Sequence, residues 1–417
     1  MPPVGGRISV APVRVTRSGV LLIAILLSAA AAMYAWTPLS SAAPVVPLTP
    51  AEQAVRNDVQ DLWQNLDDAA AAGNGAALAP LFDLQSTAGQ ASLRHAQARL
   101  AFVQAWAAAR GVRWLPPRVA VRTPSIRFRG EAQVQVTAVI SEAWTYVYAP
   151  LGAPDPPAST FGLGREHYMT LRRTPAGWRI AQDSFTDPLD QDTRIPGPAL
   201  PTPSTRPVPV IPAPIRRAAA LLSRRGYNRA GAVRYADAYC GAAPGCGNHG
   251  RYNSRLFDYN GDGGDCTNFV SQALSLGGGL RRNATWTYDP RTGEGTPAWV
   301  KAPALLNYLL ATGLARIVAR GAYAQVAPSV GDLSPGDIIG YIEKGDVVHM
   351  VLVVGFDPRG YALVDSHTAD RYHVPWDIGW DQTARFVLVH LTDGMRPRPA
   401  AVPSPFFGMG TGCGSAA

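Results

Sequence analysis

The sequence predicts an α+β protein of two domains, and three observations carry that prediction. From about Ala51 apolar residues recur at helical spacing, with Val55, Val59, Leu62 and Leu66 on one face. After Pro116 and Pro117 the period becomes two. Val134, Val136, Ala138 and Ile140 alternate with Gln133, Gln135, Thr137 and Val139, as in a half-buried strand. Nine prolines between Asp187 and Pro214 then break both patterns. Such a stretch packs no core and acts as an extended spacer, so few contacts are expected to cross it.

The N-terminal element is of another kind. Arg7, Arg14 and Arg17 precede an uncharged apolar run from Val20 to Trp36, and Ser40, Ser41, Ala42 and Ala43 follow. A basic stretch, an apolar stretch and small residues form an export signal, and the run also approaches the roughly 17 residues that a membrane span needs. Residues 1–43 are therefore expected to be a signal peptide or N-terminal anchor, the chain's one expected membrane contact, with the remainder outside the cell.

Residues 50–186 form the first α+β domain. Leu93, Ala96, Leu100 and Val103 mark its second helix, and Tyr168–Arg173 and Trp178–Ser184 flank the turn Thr174-Pro175-Ala176-Gly177 as a hairpin. Helices followed by a meandering sheet resemble the cone-shaped sheet of the NTF2-like superfamily. His95 and His167 have no evident partners here. Residues 187–214 are the spacer, 215–395 the second domain, and 396–417 a tail of small residues around Cys413. In the second domain Asn228 caps a helix to about Tyr239, a further helix runs over Trp299–Leu310, and strands follow at Ile338–Ile342, Val347–Phe356 and Tyr361–Val364.

Chemistry concentrates in this second domain. Cys266 opens a helix whose apolar face is Phe269, Val270, Ala273 and Leu274, stopped by Gly277-Gly278-Gly279. A helix N-terminus favours a thiolate and offers amides to an oxyanion, so Cys266 is expected to be a reactive nucleophile. His349 follows the turn Lys344-Gly345-Asp346 and can serve as its base, while His367 or Asp365 on the next strand supplies a third group. Cysteine on a helix, then histidine and a polar residue on successive strands, is the papain-like chain order.

Five segments carry a resemblance, in order: Tyr227-Asn228-Arg229, Gly264-Asp265-Cys266-Thr267-Asn268-Phe269-Val270-Ser271-Gln272, Trp299-Val300, Pro335-Gly336-Asp337 and Ser366-His367-Thr368, with His349 inside a hydrophobic strand. They resemble the amidase-domain family of bacterial secreted proteins, which is similar to papain-like cell-wall peptidases and CHAP amidases. The resemblance spans roughly residues 216–392. It implies a cysteine hydrolase with Cys266 as nucleophile, His349 as base and His367 as third member. It further implies a peptide or peptidoglycan substrate, with no cofactor and no catalytic metal.

Other classes fit less well. The net charge is +8, only 16% of residues are charged, and no Lys/Arg run is interleaved with aromatics, so no nucleic-acid footprint is present. Four cysteines are too few for a disulfide scaffold, although Cys240 and Cys246 are close enough to pair. Cys240, Cys246 and His249 make only a partial zinc set. Asp258, Asn260, Asp262 and Gly263 match half a calcium loop, but Phe269 stands where a bidentate Glu is needed.

Overall fold

The computed structural model describes residues 47–148, 156–185, 226–259, 265–378 and 384–392. The apolar N-terminal run, the proline-rich spacer, Asn260, Asp262 and Gly263 of the half calcium loop, and the tail with Cys413 lie outside the described residues.

Two helices open the described chain, α1 (Pro50–Ala72) and α2 (Thr87–Arg110). The four apolar positions that predicted α1 are buried. Ser86 caps α2 by accepting the Gly89 N–H at 2.9 Å, and Gly111 ends it at φ 61°, a left-handed conformation that glycine adopts without strain. Strands β1 (Val112–Trp114), β2 (Arg118–Phe128), β3 (Gln133–Tyr148), β4 (Ala158–Thr174) and β5 (Gly177–Phe185) follow as an antiparallel meander. The alternating residues of β3 pack with Met169, Leu171 and Ile180 against α1, so one face of the sheet is sealed by helices.

The second half begins with α3 (Arg229–Tyr239) and α4 (Cys266–Gln272), the latter continuing as a π-turn over Ala273–Gly277. Strands β6 (Tyr288–Asp289) and β7 (Glu294–Gly295) form a small separate ladder. The single helix expected over Trp299–Leu310 is instead two, α5 (Pro297–Val300) and α6 (Ala302–Ala311). Pro303 has no N–H to continue the first turn, and Ser271 Oγ donates at 3.0 Å to the Trp299 carbonyl left open. Strand β8 (Ala315–Ala322), the short α7 (Tyr323–Val326), and strands β9 (Ile338–Glu343), β10 (Asp346–Phe356), β11 (Ala362–Ser366), β12 (Asp370–Pro375) and β13 (Arg385–Leu391) complete it. The β9–β10 hairpin turns through Lys344 and Gly345, both at positive φ, which matches the twist of paired strands. The class is α+β throughout.

The two halves do not stand apart as the spacer led one to expect. Strand β12 pairs with β4, Asp370 to Gly164 and Tyr372 to Gly162, so one antiparallel sheet runs in the order β1-β3-β4-β12-β11-β10-β9-β13-β8. Val374 and Ile378 from the second half pack among Trp106, Trp114, Trp144, Tyr146 and Phe161 from the first. Buried polar contacts reinforce this seam. Trp106 Nε1 donates to Asp377 at 3.0 Å, Arg110 pairs with the same carboxylate, and the Tyr146 and Tyr148 hydroxyls donate to Asp357.

The closest approach at the seam requires glycine. A Cβ on Gly162 would sit 2.1 Å from the Pro244 carbonyl oxygen, and one on Gly164 2.7 Å from the Ala242 carbonyl carbon. Backbone cannot yield as a side-chain tip can, so Gly162→Ala is expected to lower stability by about 1–3 kcal/mol or more. A denaturant midpoint equal to wild type would show that the seam is not closely packed.

Candidate active site

Helix α4 lies wholly buried on the face of the sheet occupied by Met350 and Leu352, with Phe269 and Val270 in that core. Its polar side chains fix it in place. Asn268 donates to Asp265 at 2.7 Å and accepts from Trp299 Nε1 at 2.7 Å, while Ser271 accepts from Trp286 Nε1 and Gln272 from the Tyr235 hydroxyl. The other motif segments meet nearby: the Tyr227 hydroxyl donates to the Gly336 carbonyl and Arg229 to Asp337, both at 2.7 Å. Asn228 caps α3 as expected.

Cys266 is a free, buried thiol at the first position of α4, and Cys240 and Cys246 are joined in a disulfide. The thiol lies 3.7 Å from Thr267 Oγ1, and the Met350 backbone amide acts to lower its pKa. The thiolate expected from a helix start is not favoured in this resting state. Burial pushes the thiol above its ordinary range and the neighbouring Asp265 adds to this, outweighing the amides of Met350 and Thr267. Alkylation by iodoacetamide is therefore expected to be slower in the native protein than in a free cysteine peptide at pH 7, and to accelerate at higher pH. Faster alkylation at pH 7 would mean a thiolate already formed.

His367 stands beside the head of α4. Its Nδ1 lies 2.5 Å from Asp265 Oδ2 and its Nε2 2.6 Å from the Tyr239 carbonyl, with the ring stacked between Tyr252 and Phe269. An imidazole donating from both nitrogens is an imidazolium. Burial works against that charge, but Asp265 raises the pKa above its ordinary value. Both nitrogens of His367 are thus committed to Asp265 and Tyr239, and neither is available to His349.

His349 sits one residue before Met350, whose amide acts on the thiol. Its imidazole is nevertheless on the other face of β10. A bulge between Val347 and His349 shifts the register, His349 pairs with Tyr341, and directly paired residues share a face. The Tyr341 ring lies 5.7 Å away, in the core built from Ile339, Val351, Trp376 and Phe386. Neither ring nitrogen has a hydrogen-bond partner among the described residues. Burial, then Arg371, push this imidazole down to about 3, so it is neutral. No hydrogen bond joins Cys266 to either histidine among the described residues.

Asp365 is directed elsewhere again. It faces α3, accepting the His373 N–H at 2.7 Å, and burial together with Asp237 raises its pKa well above the usual carboxylate range. The structure thus gathers Cys266, Asp265 and His367 at the head of α4, keeps His349 behind β10, and assigns Asp365 to a separate cluster.

Two features had no place in the sequence reading. A cleft opens along the seam, lined by Arg122, Arg165, Glu166, Tyr252, Thr368 and Asp370. It reaches the neighbourhood of the thiol, because Thr368 Oγ1 accepts the Asp265 N–H at 2.7 Å. In the first half Arg99 bridges Asp67 at 2.7 Å and Glu142 at 2.6 Å, and Arg165 adds to Glu142 at 3.2 Å. Burial works to raise Glu142, but the arginines hold it down to about 2. Asp67, desolvated and next to Glu142, is pushed up to about 7. The available signal was Glu142 itself, a carboxylate in phase with the inward-facing Ile140 and Trp144.

These features define an α+β protein with a free thiol at the head of a helix packed on an antiparallel sheet. Residues 226–390 match the family model described as "Putative amidase domain", the family whose motifs the second half carries. A 182-residue stretch is 29% identical to the uncharacterized protein YhbB of Bacillus subtilis strain 168, covering 40% of this chain and 51% of that protein. The chain therefore spans about half the length of that relative. Among solved structures, the intermembrane-space region of the chloroplast protein ARC6 aligns with a TM-score of 0.24 and 15% identity, over 33% of this chain and 98% of that one. A cystatin-like domain of unknown function from Nostoc punctiforme PCC 73102 gives a TM-score of 0.20 and 15% identity, over 33% and 78%. Likeness at that level carries no argument here.

Proposed function

We propose that the protein is a papain-like cysteine amidase that hydrolyses amide bonds in peptidoglycan or peptides, with Cys266 as nucleophile and His349 as base. One observation carries this reading. The only free cysteine among the described residues feels the Met350 amide, and the imidazole one residue earlier in the chain has both nitrogens unengaged in a buried setting. Buried polar atoms without partners are rare, and a role in chemistry is one reason a protein keeps them.

Reaction requires the bulged start of β10 to shift its register, so that the His349 ring leaves the Tyr341 face and reaches the sulfur. The thiol proton then passes to the imidazole as sulfur attacks the carbonyl carbon. The amides at the head of α4 donate to the oxyanion, and the imidazolium protonates the departing amine. Water, deprotonated by the same imidazole, releases the acyl group. His367 is a positioning residue in this scheme, holding Asp265 and with it the head of α4. The seam cleft is the proposed route for an extended substrate. The apolar N-terminal run would deliver the protein to the cell exterior as a signal or anchor, and the Cys240–Cys246 bond suits that oxidising location. Among the described residues no helix is long and apolar enough to cross a membrane.

Digestion of purified peptidoglycan by the full chain, with mass analysis of the released fragments, tests the reaction and identifies the bond. New amine and carboxyl ends are expected. The pH profile tests the base. With its imidazole pKa lowered to about 3, the base form of His349 persists far below pH 6.5, so the acid limb of kcat/KM should fall well below that value. A limb near pH 6.5 would assign the base role to another group.

A second reading, a wall- or protein-binding module on a hydrolase fold, is favoured by the separation of the His349 imidazole from the thiol across β10. Covalent capture separates the two. An activated acyl compound should form a thioester at Cys266 in an enzyme, and none in a binding module.

A further inference from the structure

We propose a divalent-cation site formed by Asp237 of α3, Asp365 of β11 and His373 of β12, outside the candidate active site. One ligand atom from each residue lies within 4.8 Å of the other two. His373 Nε2 approaches Asp237 Oδ1 at 2.9 Å, while the His373 backbone N–H donates to Asp365 Oδ1 at 2.7 Å and fixes that carboxylate.

The second observation is the depth of one ligand, whose outer oxygen meets no N–H donor among the described residues. Asp365 is 0% exposed, and its Oδ2 has no hydrogen-bond partner among the described residues. A wholly buried carboxylate oxygen is costly to leave bare. No Arg or Lys pairs with Asp237 or Asp365 among the described residues. A divalent cation bound between the two carboxylates would displace any shared proton and balance their charge.

The donor set indicates the class. One imidazole nitrogen with two carboxylate oxygens suits a borderline metal such as Zn²⁺ better than Ca²⁺ or Mg²⁺, which take oxygen ligands. Asp237 and His373 are 34% and 29% exposed, so water can complete the coordination and the ion has an entry path. Bound there, the ion would cross-link a helix to two strands of the sheet. Asp237, Asp365 and His373 share no local spacing motif, so the cluster is visible only in the fold.

The test is zinc titration of the full chain by calorimetry, with thermal midpoints measured in parallel. One zinc ion should bind per chain and raise the midpoint, and binding should persist in Cys266→Ala, which removes the thiol as a competing ligand. Asp237→Asn and His373→Gln, both at partly exposed positions, should fold and lose the zinc-dependent shift. Asp365→Asn should lose it as well. A zinc shift of wild-type size in Asp237→Asn and His373→Gln would overturn the site. So would an absence of zinc binding in wild type together with a raised midpoint in Asp365→Asn, which would identify two carboxylates sharing a proton. A response to calcium and none to zinc would overturn the metal class.

Discussion

Cys266→Ala is expected to abolish amide hydrolysis and leave the fold standing, while His349→Leu abolishes it and raises the melting point. In the proposed mechanism, deleting Cys266 removes the acyl-enzyme route entirely, and losses of about 10⁴-fold or more in kcat are the scale for nucleophiles in hydrolases. The thermal cost is small, because only one sulfur and its weak contact to Thr267 disappear. His349 is the sharper case. Its two buried nitrogens lack partners in the resting protein, and each such group costs about 1–3 kcal/mol. Leucine fills much of the same volume among Tyr341, Val351 and Trp376 without that cost. Opposite effects on stability and turnover would mark a residue kept for chemistry. Near-normal turnover in His349→Leu would remove it from the mechanism, and a lowered midpoint with lost activity would reduce it to a packing residue.

A fragment beginning at residue 226 is expected not to fold into a soluble monomer. Removing the first half bares the edge of β12, strips the aromatic cover from Val374 and Ile378, and takes away the donors that satisfy Asp357 and Asp377. An uncovered sheet edge with unpaired N–H and C=O groups favours association. The same seam can be tested by one substitution. Asp377→Ala leaves the largely buried Arg110 without its ion pair, and breaking such a pair typically costs about 3–5 kcal/mol. Chemical denaturation should show one transition for the intact protein and a much lower midpoint for the variant. A cooperative, monomeric fragment with native circular dichroism would restore the picture of independent halves.

Local periodicity made much of the fold legible. Val55, Val59, Leu62 and Leu66 gave α1, and the alternation from Val134 to Ile140 gave β3, because each signal lies within a few residues. The strand β12 was invisible for the opposite reason. Asp370, Arg371 and His373 look like a polar loop, and the burial of Asp370 and Arg371 follows from being seated between β4 and β11. The spacer misled similarly, since its composition reports on itself and not on strands that pair around it. At the site, the order Cys266, His349, His367 was readable, but orientation was not. The single bulge before His349 decides which face its ring occupies, and no residue pattern announces it. Asp265 was read only as part of a motif, although it holds His367.

The union of β4 with β12 also dictates an order of events when the chain is made. The paired residues are separated by about 200 positions, so β4 emerges long before its partner exists. Contacts of such range form late, after a large loss of chain entropy, and proteins rich in them fold slowly. Until then the first half carries a half-finished sheet whose free border can recruit another copy of itself. Yield during synthesis should therefore hinge on how soon Asp370–Pro375 arrives to close that border.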